Sequence, residues 1–388
     1  MYQKTTLFLG LVLLLCSSTS FITAQQTLPV IQANSLLVDI RDGDSFNPEA
    51  WTIVPDVSPD VYTSNSVGKT VTFYTDLDSI SYVLDKDQAF DFIILVNGKD
   101  SALTRIAYEP SKLDILRASG PYAETTTDLD IPPFTYQDAS AEPLRSLREK
   151  YNLDSIAGNG NDVSKMLNLM RWVHNTVEHD GGKSNPATMN ADYMITTCGE
   201  KQGTLNCRGL GIVLNECFLA MGIPSRFVTC KPKDPNDYDC HVINMAFSYD
   251  LDKWLWMDPT QNGYIMDEHG ELLGISEVRD RLLEGGALIL NPDANWNYRS
   301  TTYKGWYLDY YMAKNLYWFS TPLHSTYDLE THDKEKHQAY LELLPTGFGE
   351  EADRQLEQSF DSGMKRTTYI TNNAALFWAK PEQKKVRR

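Results

Sequence analysis

The 388-residue sequence contains no His-Glu-x-x-His, no paired Cys-x-x-Cys and no EF-hand loop. Those are the short patterns that grip zinc and calcium, so neither a zinc centre nor a calcium switch is expected, and no organic cofactor is implied. Basic residues are also scarce: 35 Lys and Arg stand against 52 Asp and Glu, a formal net charge of −17. A surface that acidic repels phosphate backbones, which argues against nucleic acid as a partner. The basic run from Lys380 to Arg388 reads as a solvated tail. Long apolar runs are missing too. A bilayer span takes about 20 apolar residues, and no segment reaches that, so no transmembrane segment is expected. There are no internal repeats. Hydrophobic residues make up 42% of the chain, enough for a sizeable core, and the length suits two or three domains.

What is present begins with a leader-like N-terminus. Lys4 precedes a short apolar run from Leu7 to Leu15, followed by small and polar residues to Ala24. That layout predicts a secretory signal peptide over 1–24 and a secreted or periplasmic protein. Cys16 leaves a lipoprotein anchor as the alternative. Beyond the leader lie Cys198, Cys207, Cys217, Cys230 and Cys240, and an odd number in an exported chain implies a free thiol. A Cys230–Cys240 disulfide bracketing the loop between them stays open.

Residues 25–125 read as an all-β, sandwich-like domain. The runs 71–75, 81–84 and 90–96 are short and rich in β-branched and aromatic residues, and Asn97-Gly98 is a hairpin turn signal leading into a returning strand at 101–108. No catalytic constellation falls there; the reading is a packing module, with a glycan- or surface-binding module as the alternative. The polar, acidic stretch from Thr125 to Pro133 reads as a linker, and 126–388 as the second domain. Helices are expected over 143–151 and 162–177, the latter capped by Asp162 or Ser164 with Met166, Leu169, Met170 and Val173 on one face. Residues 183–197 show no clean period. Trp296 to Tyr327 is dense in aromatics, read first as core and alternatively as a cleft wall or sugar platform. Strand-like runs at 339–344 and 366–378 end the domain.

The chemistry concentrates between 198 and 290. Leu210, Val213, Leu214, Cys217 and Met221 recur at helical spacing, so an amphipathic helix starts near Cys207 and stops at Gly222 and Pro224, with Cys217 in the core. A cysteine in the first turn sits at the positive end of the helix dipole, where thiolates are stabilised and free N–H groups can receive an oxyanion. A strand from Ser225 follows, then a charged loop, then a strand from His241 to Ser248 and another from Lys253 to Asp258. Centring the turn between Tyr249 and Asp250 puts His241 directly across from Asp258. Nucleophile, base and orienting carboxylate would then stand in series. His174 and His179, five apart, have the wrong spacing for a helical metal pair.

Asn206-Cys207-Arg208-Gly209, the run 222–228, Cys240-His241-Val242 and Trp256-Met257-Asp258-Pro259-Thr260 together resemble the transglutaminase-like family over about 160–285. The resemblance implies an α+β, papain-like core with Cys207 as nucleophile, His241 as base and Asp258 as orienter, acting on an amide or ester carbonyl through a thioester. Papain-like enzymes use an upstream glutamine as oxyanion donor, which points to Gln202. The expected function is that of an exported thiol-dependent hydrolase or acyltransferase acting on peptide, protein or peptidoglycan-like amides. The alternative is a catalytically inactive scaffold of that family that binds glycan or protein.

Overall fold

The computed structural model describes residues 27–123, 129–199, 203–333, 335–348 and 353–382. The leader with Cys16, the residue Gln202 and the last residues of the basic tail lie outside the described residues. The chain divides into two compact units, one ending at Glu109 and the other beginning at Pro110.

The first unit holds two four-stranded sheets. One has the order Val30–Ala33, Ala89–Val96, Asp100–Tyr108, Asp60–Ser64; the other has Ser45–Thr52, Leu37–Asp42, Thr70–Tyr74, Ser79–Val83. Alternate residues of both sheets point into one shared core, which includes Val38, Ile40, Phe73, Phe92, Ile94 and Ile106. Period-2 patterning buries one face per strand, giving a sandwich. The hairpin turn falls at Asn97 and Gly98, with φ of 51° and 66°. Those positive values are the reason the turn takes this dipeptide.

The second unit begins upstream of the expected linker because the helix Lys112–Arg117 buries Leu116 in that unit's core. Its centre is a seven-stranded sheet in the order Lys253–Met257, His241–Ser248, Ser225–Lys231, Trp318–Pro322, His337–Leu343, Lys365–Thr371, Arg354–Ser359. Only the pair His337–Leu343 and Lys365–Thr371 is parallel. One face of the sheet carries the helices Glu142–Lys150, Asp162–Thr176, Ala191–Cys198 and Cys207–Ala220. The other face is covered by Ile275–Glu284 and by the aromatic segment.

The helix from Cys207 differs from the amphipathic expectation. Every residue from Gly209 to Ala220 is buried, because the helix lies between the sheet and three other helices. Of its two buried polar side chains, Glu216 accepts the Ala191 and Asp328 amides at 2.7 and 2.8 Å, whereas Asn215 donates to Ser325 Oγ at 2.9 Å and finds no partner for its Oδ1 among the described residues. Such partners are what make burial of a polar group tolerable. Three local expectations need correcting. Asn161, not Asp162 or Ser164, caps the Asp162–Thr176 helix. The stretch 183–197 contains most of the Ala191–Cys198 helix, capped by Asn190. The last strand stops at Thr371, and Asn373 then caps a short helix, Ala374–Phe377.

Candidate active site

The site is assembled at the N-terminus of the Cys207–Ala220 helix. Asn206 is the N-cap, and its Oδ1 accepts the amides of Arg208 and Gly209 at 3.0 and 3.2 Å. Asn185 holds that cap in place: its Nδ2 donates to Asn206 Oδ1 at 2.7 Å and its Oδ1 accepts the Asn206 amide at 3.1 Å. Gly209 is required here for space. A Cβ at that position would meet Asn185 Oδ1 at 2.6 Å. On the sheet side, Asn244 Nδ2 donates to the Gly211 carbonyl at 2.9 Å, tying the helix to the strand that begins at His241.

His241 and Asp258 form a buried pair, Nε2 to Oδ2, at 2.8 Å, with exposures of 2% and 0%. The register that brings them together is not the expected one. Asn244 pairs with Met257 and Ser248 with Lys253, so the hairpin loop is centred one residue further on. His241 therefore reaches Asp258 diagonally rather than directly. A slip of two positions in pairing keeps each side chain on its own face, and diagonal neighbours remain within reach of a long side chain. Asp258 itself leaves the hairpin ladder and pairs with Gly263, each amide bonding the other's carbonyl at 2.9 Å. Its Oδ1 accepts the Thr260 amide at 2.8 Å.

A fourth participant comes from the aromatic segment, where Tyr307, Tyr310, Tyr311 and Lys314 have helical spacing that reads first as core packing. Tyr307 donates its hydroxyl to Asp258 Oδ2 at 2.5 Å. It begins a π-helical turn, Tyr307–Met312, in the aromatic segment. Tyr307 is fully buried, as core packing implies, whereas Trp306 and Tyr310 are about half exposed. The Trp306 and Tyr311 rings stack at 5.4 Å and 3°. Trp306, Tyr310 and Tyr311 line a cleft of about 620 Å³ together with His179, His241 and Trp296; among the described residues its lining also includes Asp239 but no Lys or Arg.

Cys207 is half-buried and a free thiol. The His179 and His241 imidazoles and the Val242 amide all act on its sulfur in the direction that favours the thiolate. Burial pushes the thiol up, but those groups, the His241 charge included, outweigh it and lower Cys207 to about 6. Burial opposes a charge on His241, yet the Asp258 carboxylate and Cys207 raise it to about 10. Asp258 is likewise opposed by burial and held below the usual carboxylate range by His241, Tyr307 and the Thr260 amide. With Nε2 committed to Asp258, the Nδ1 of His241 is the nitrogen that serves Cys207.

His179 arrives from a distant part of the chain. Glu178–His179 and Thr204–Leu205 form a two-residue parallel bridge immediately before the thiol helix. Its backbone is clamped by Asn297, whose Oδ1 accepts the His179 amide at 2.8 Å and whose Nδ2 donates to the His179 carbonyl at 2.9 Å. Trp296 Nε1 donates to His179 Nδ1 at 3.0 Å. His174 has both ring nitrogens bonded to groups other than the thiol. It is buried, with ring nitrogens bonded to the Pro259 carbonyl and to Asn295 at 2.9 and 3.0 Å, and so steadies the loop after Asp258.

Among the described residues the remaining cysteines, Cys198, Cys217, Cys230 and Cys240, are thiols as well. Cys230 and Cys240 are both free, so no disulfide closes their loop; instead Lys314 holds it through Asp237 and Asp239 at 3.1 and 2.7 Å. Cys217 is fully buried. Among the described residues no group of three or more His, Cys, Asp or Glu could hold a metal ion, and no helix is long and apolar enough to cross a membrane.

Residues 149–259 match the model of the transglutaminase-like superfamily. No curated protein matches the chain. Among solved structures, the chain is similar to a candidate cysteine protease from Cytophaga hutchinsonii, with 22% identity and a TM-score of 0.26. That similarity covers 43% of this chain and 56% of the other.

Proposed function

Given that residues 149–259 belong to the transglutaminase-like superfamily, we propose that the protein is a thiol-dependent hydrolase or acyltransferase that cleaves amide bonds through a thioester on Cys207. The observation that carries this reading is the buried His241–Asp258 pair, whose imidazole also favours the thiolate of a cysteine at a helix N-terminus. His241 Nδ1 takes the Cys207 proton, giving a thiolate and an imidazolium. The sulfur attacks the carbonyl carbon, the carbonyl π pair moves to oxygen, and a C–S bond forms. The pair then returns, the C–N bond breaks, and the Nδ1–H of His241 protonates the leaving amine. Water or a second amine, deprotonated by His241, resolves the thioester. Asp258 keeps the ring in the Nε2–H tautomer, and Tyr307 keeps Asp258 in place.

The cleft supports peptide, protein or peptidoglycan-like amides as substrates. Among the described residues it is walled largely by Trp296, Tyr303, Trp306, Tyr310 and Tyr311, apolar surface on which a peptide chain or a sugar ring can pack. The leader-like N-terminus supports action outside the cytoplasm. The test is direct capture of the intermediate. With p-nitrophenyl acetate the protein should release a stoichiometric burst of nitrophenol and carry one acetyl group, found by peptide mass spectrometry on Cys207. A fully folded protein that gives no burst and no acetylated Cys207 would sink the reading in favour of an inactive, ligand-binding scaffold.

A further inference from the structure

We propose that His179 is the side-chain donor of the oxyanion hole: its Nε2–H, fixed in that tautomer by the Trp296 indole, takes up the negative charge that develops on the substrate oxygen when Cys207 attacks. The inference rests on the thioester reading and adds a catalytic residue to it.

The need for such a donor follows from the helix end. A helix N-terminus offers unpaired amides to an anion, but here most are already used. The Asn206 side chain takes the Arg208 and Gly209 amides, and the Leu210 amide bonds the Asn206 carbonyl at 3.1 Å. That leaves the Cys207 amide as the first-turn N–H available to the substrate oxygen. One amide is a thin provision for a full oxyanion, so a second donor must reach in from outside the helix. Gln202, the candidate suggested by papain-like enzymes, lies outside the described residues. His179 meets the requirement from the structure alone. It lines the same cleft as His241, and its ring acts on the Cys207 sulfur in the direction that favours the thiolate.

The tautomer is set by geometry. Trp296 Nε1 has only a hydrogen to give, so His179 Nδ1 must present its lone pair to receive it. The ring is then neutral, with its proton on Nε2. The two imidazoles thus divide the work. His241, against a carboxylate, exchanges a proton with sulfur and the leaving group. His179, against an indole, neither gives nor takes a proton; it donates a hydrogen bond to the oxygen while the C–S bond forms and the π pair resides there. The Asn297 clamp on both backbone groups of His179 and the parallel bridge to Leu205 hold the ring before substrate arrives. Such preorganisation is what makes an oxyanion donor effective.

Two reactions of the same sulfur separate this role from thiolate stabilisation. Displacement of iodide from iodoacetamide forms no oxyanion; acylation by p-nitrophenyl acetate does. Both rates are measured in wild type, His179→Ala and His179→Gln, each at the plateau of its own pH profile. Folding is checked by circular dichroism. His179→Ala should slow acylation on the order of 100- to 1,000-fold while its alkylation plateau changes far less. His179→Gln, which keeps an N–H near the Nε2 position, should recover acylation substantially. Acylation unchanged in the alanine variant overturns the proposal. So does an equal loss in both reactions, or a folded glutamine variant no faster than alanine. A wild-type thiol inert in both reactions overturns the Cys207 reading itself, and this one with it.

Discussion

Cys207→Ser is expected to lower acyl transfer by roughly a millionfold, the scale seen when the nucleophile of a catalytic triad is removed, while leaving the fold intact. The site is built around a sulfur anion. Two imidazoles and the Val242 amide converge on Cys207 and hold it at about 6. A serine hydroxyl is far less acidic, so the same contacts would not ionise it. The substitution changes one atom at a half-buried position, and the cap on Asn206 makes no use of the side chain. Turnover of an ester substrate should therefore collapse with circular dichroism and melting temperature nearly unchanged. A serine variant within about a hundredfold of wild type would mean that Cys207 does not form the acyl-enzyme.

Asp258→Asn is the second large effect, on the order of 10⁴ in turnover, the cost of the wrong imidazole tautomer. The Asp258 carboxylate accepts from His241 Nε2, Tyr307 and the Thr260 and Gln261 amides, and has no hydrogen to donate. Asparagine has one acceptor oxygen and one NH₂. If the oxygen stays with the two backbone amides, the NH₂ faces His241 and Tyr307. The imidazole must then accept at Nε2 and carry its proton on Nδ1, toward the sulfur, where it cannot act as a base. The variant is measured by turnover and by labelling of Cys207 at pH 6, which should both fall. A loss below tenfold, with the thiol still reactive at pH 6, would contradict the role given to Asp258.

The parts of this site that were legible in the sequence are those whose signals are local. The helix after Cys207 shows its start in the apolar period and its stop at Gly222, which has φ of 73°. The hairpin shows its strands, and the slip in its register did no harm, because a shift of two positions preserves the face. The position of Asp258 off the ladder could not be read, since it depends on the bridge to Gly263. Tyr307 and His179 were illegible for a different reason. Tyr307 shares helical spacing with Tyr310, Tyr311 and Lys314, which reads as core; its bond to the carboxylate depends on a π-helical turn and a contact 49 residues away in the chain, neither of which the spacing shows. His179 is placed by a two-residue parallel bridge and by Trp296 and Asn297, contacts far apart along the chain. The loop between Cys230 and Cys240, both free thiols, is likewise tied by a residue distant in the chain, Lys314, through Asp237 and Asp239.

The most direct test of the central claim is the rate of Cys207 alkylation by iodoacetamide against pH, in wild type and His241→Ala, read by peptide mass spectrometry. The Cys207 thiol is lowered to about 6 and the His241 imidazole raised to about 10. Sulfur is therefore ionised above about 6 and the imidazole charged below about 10. The thiolate–imidazolium pair fills the window between. Labelling should be rapid from pH 6 upward and fall with pH below it. In His241→Ala the rise should move toward the ~8.5 of an ordinary thiol. A wild-type profile that rises only near ~8.5, and is unchanged by His241→Ala, would contradict the account.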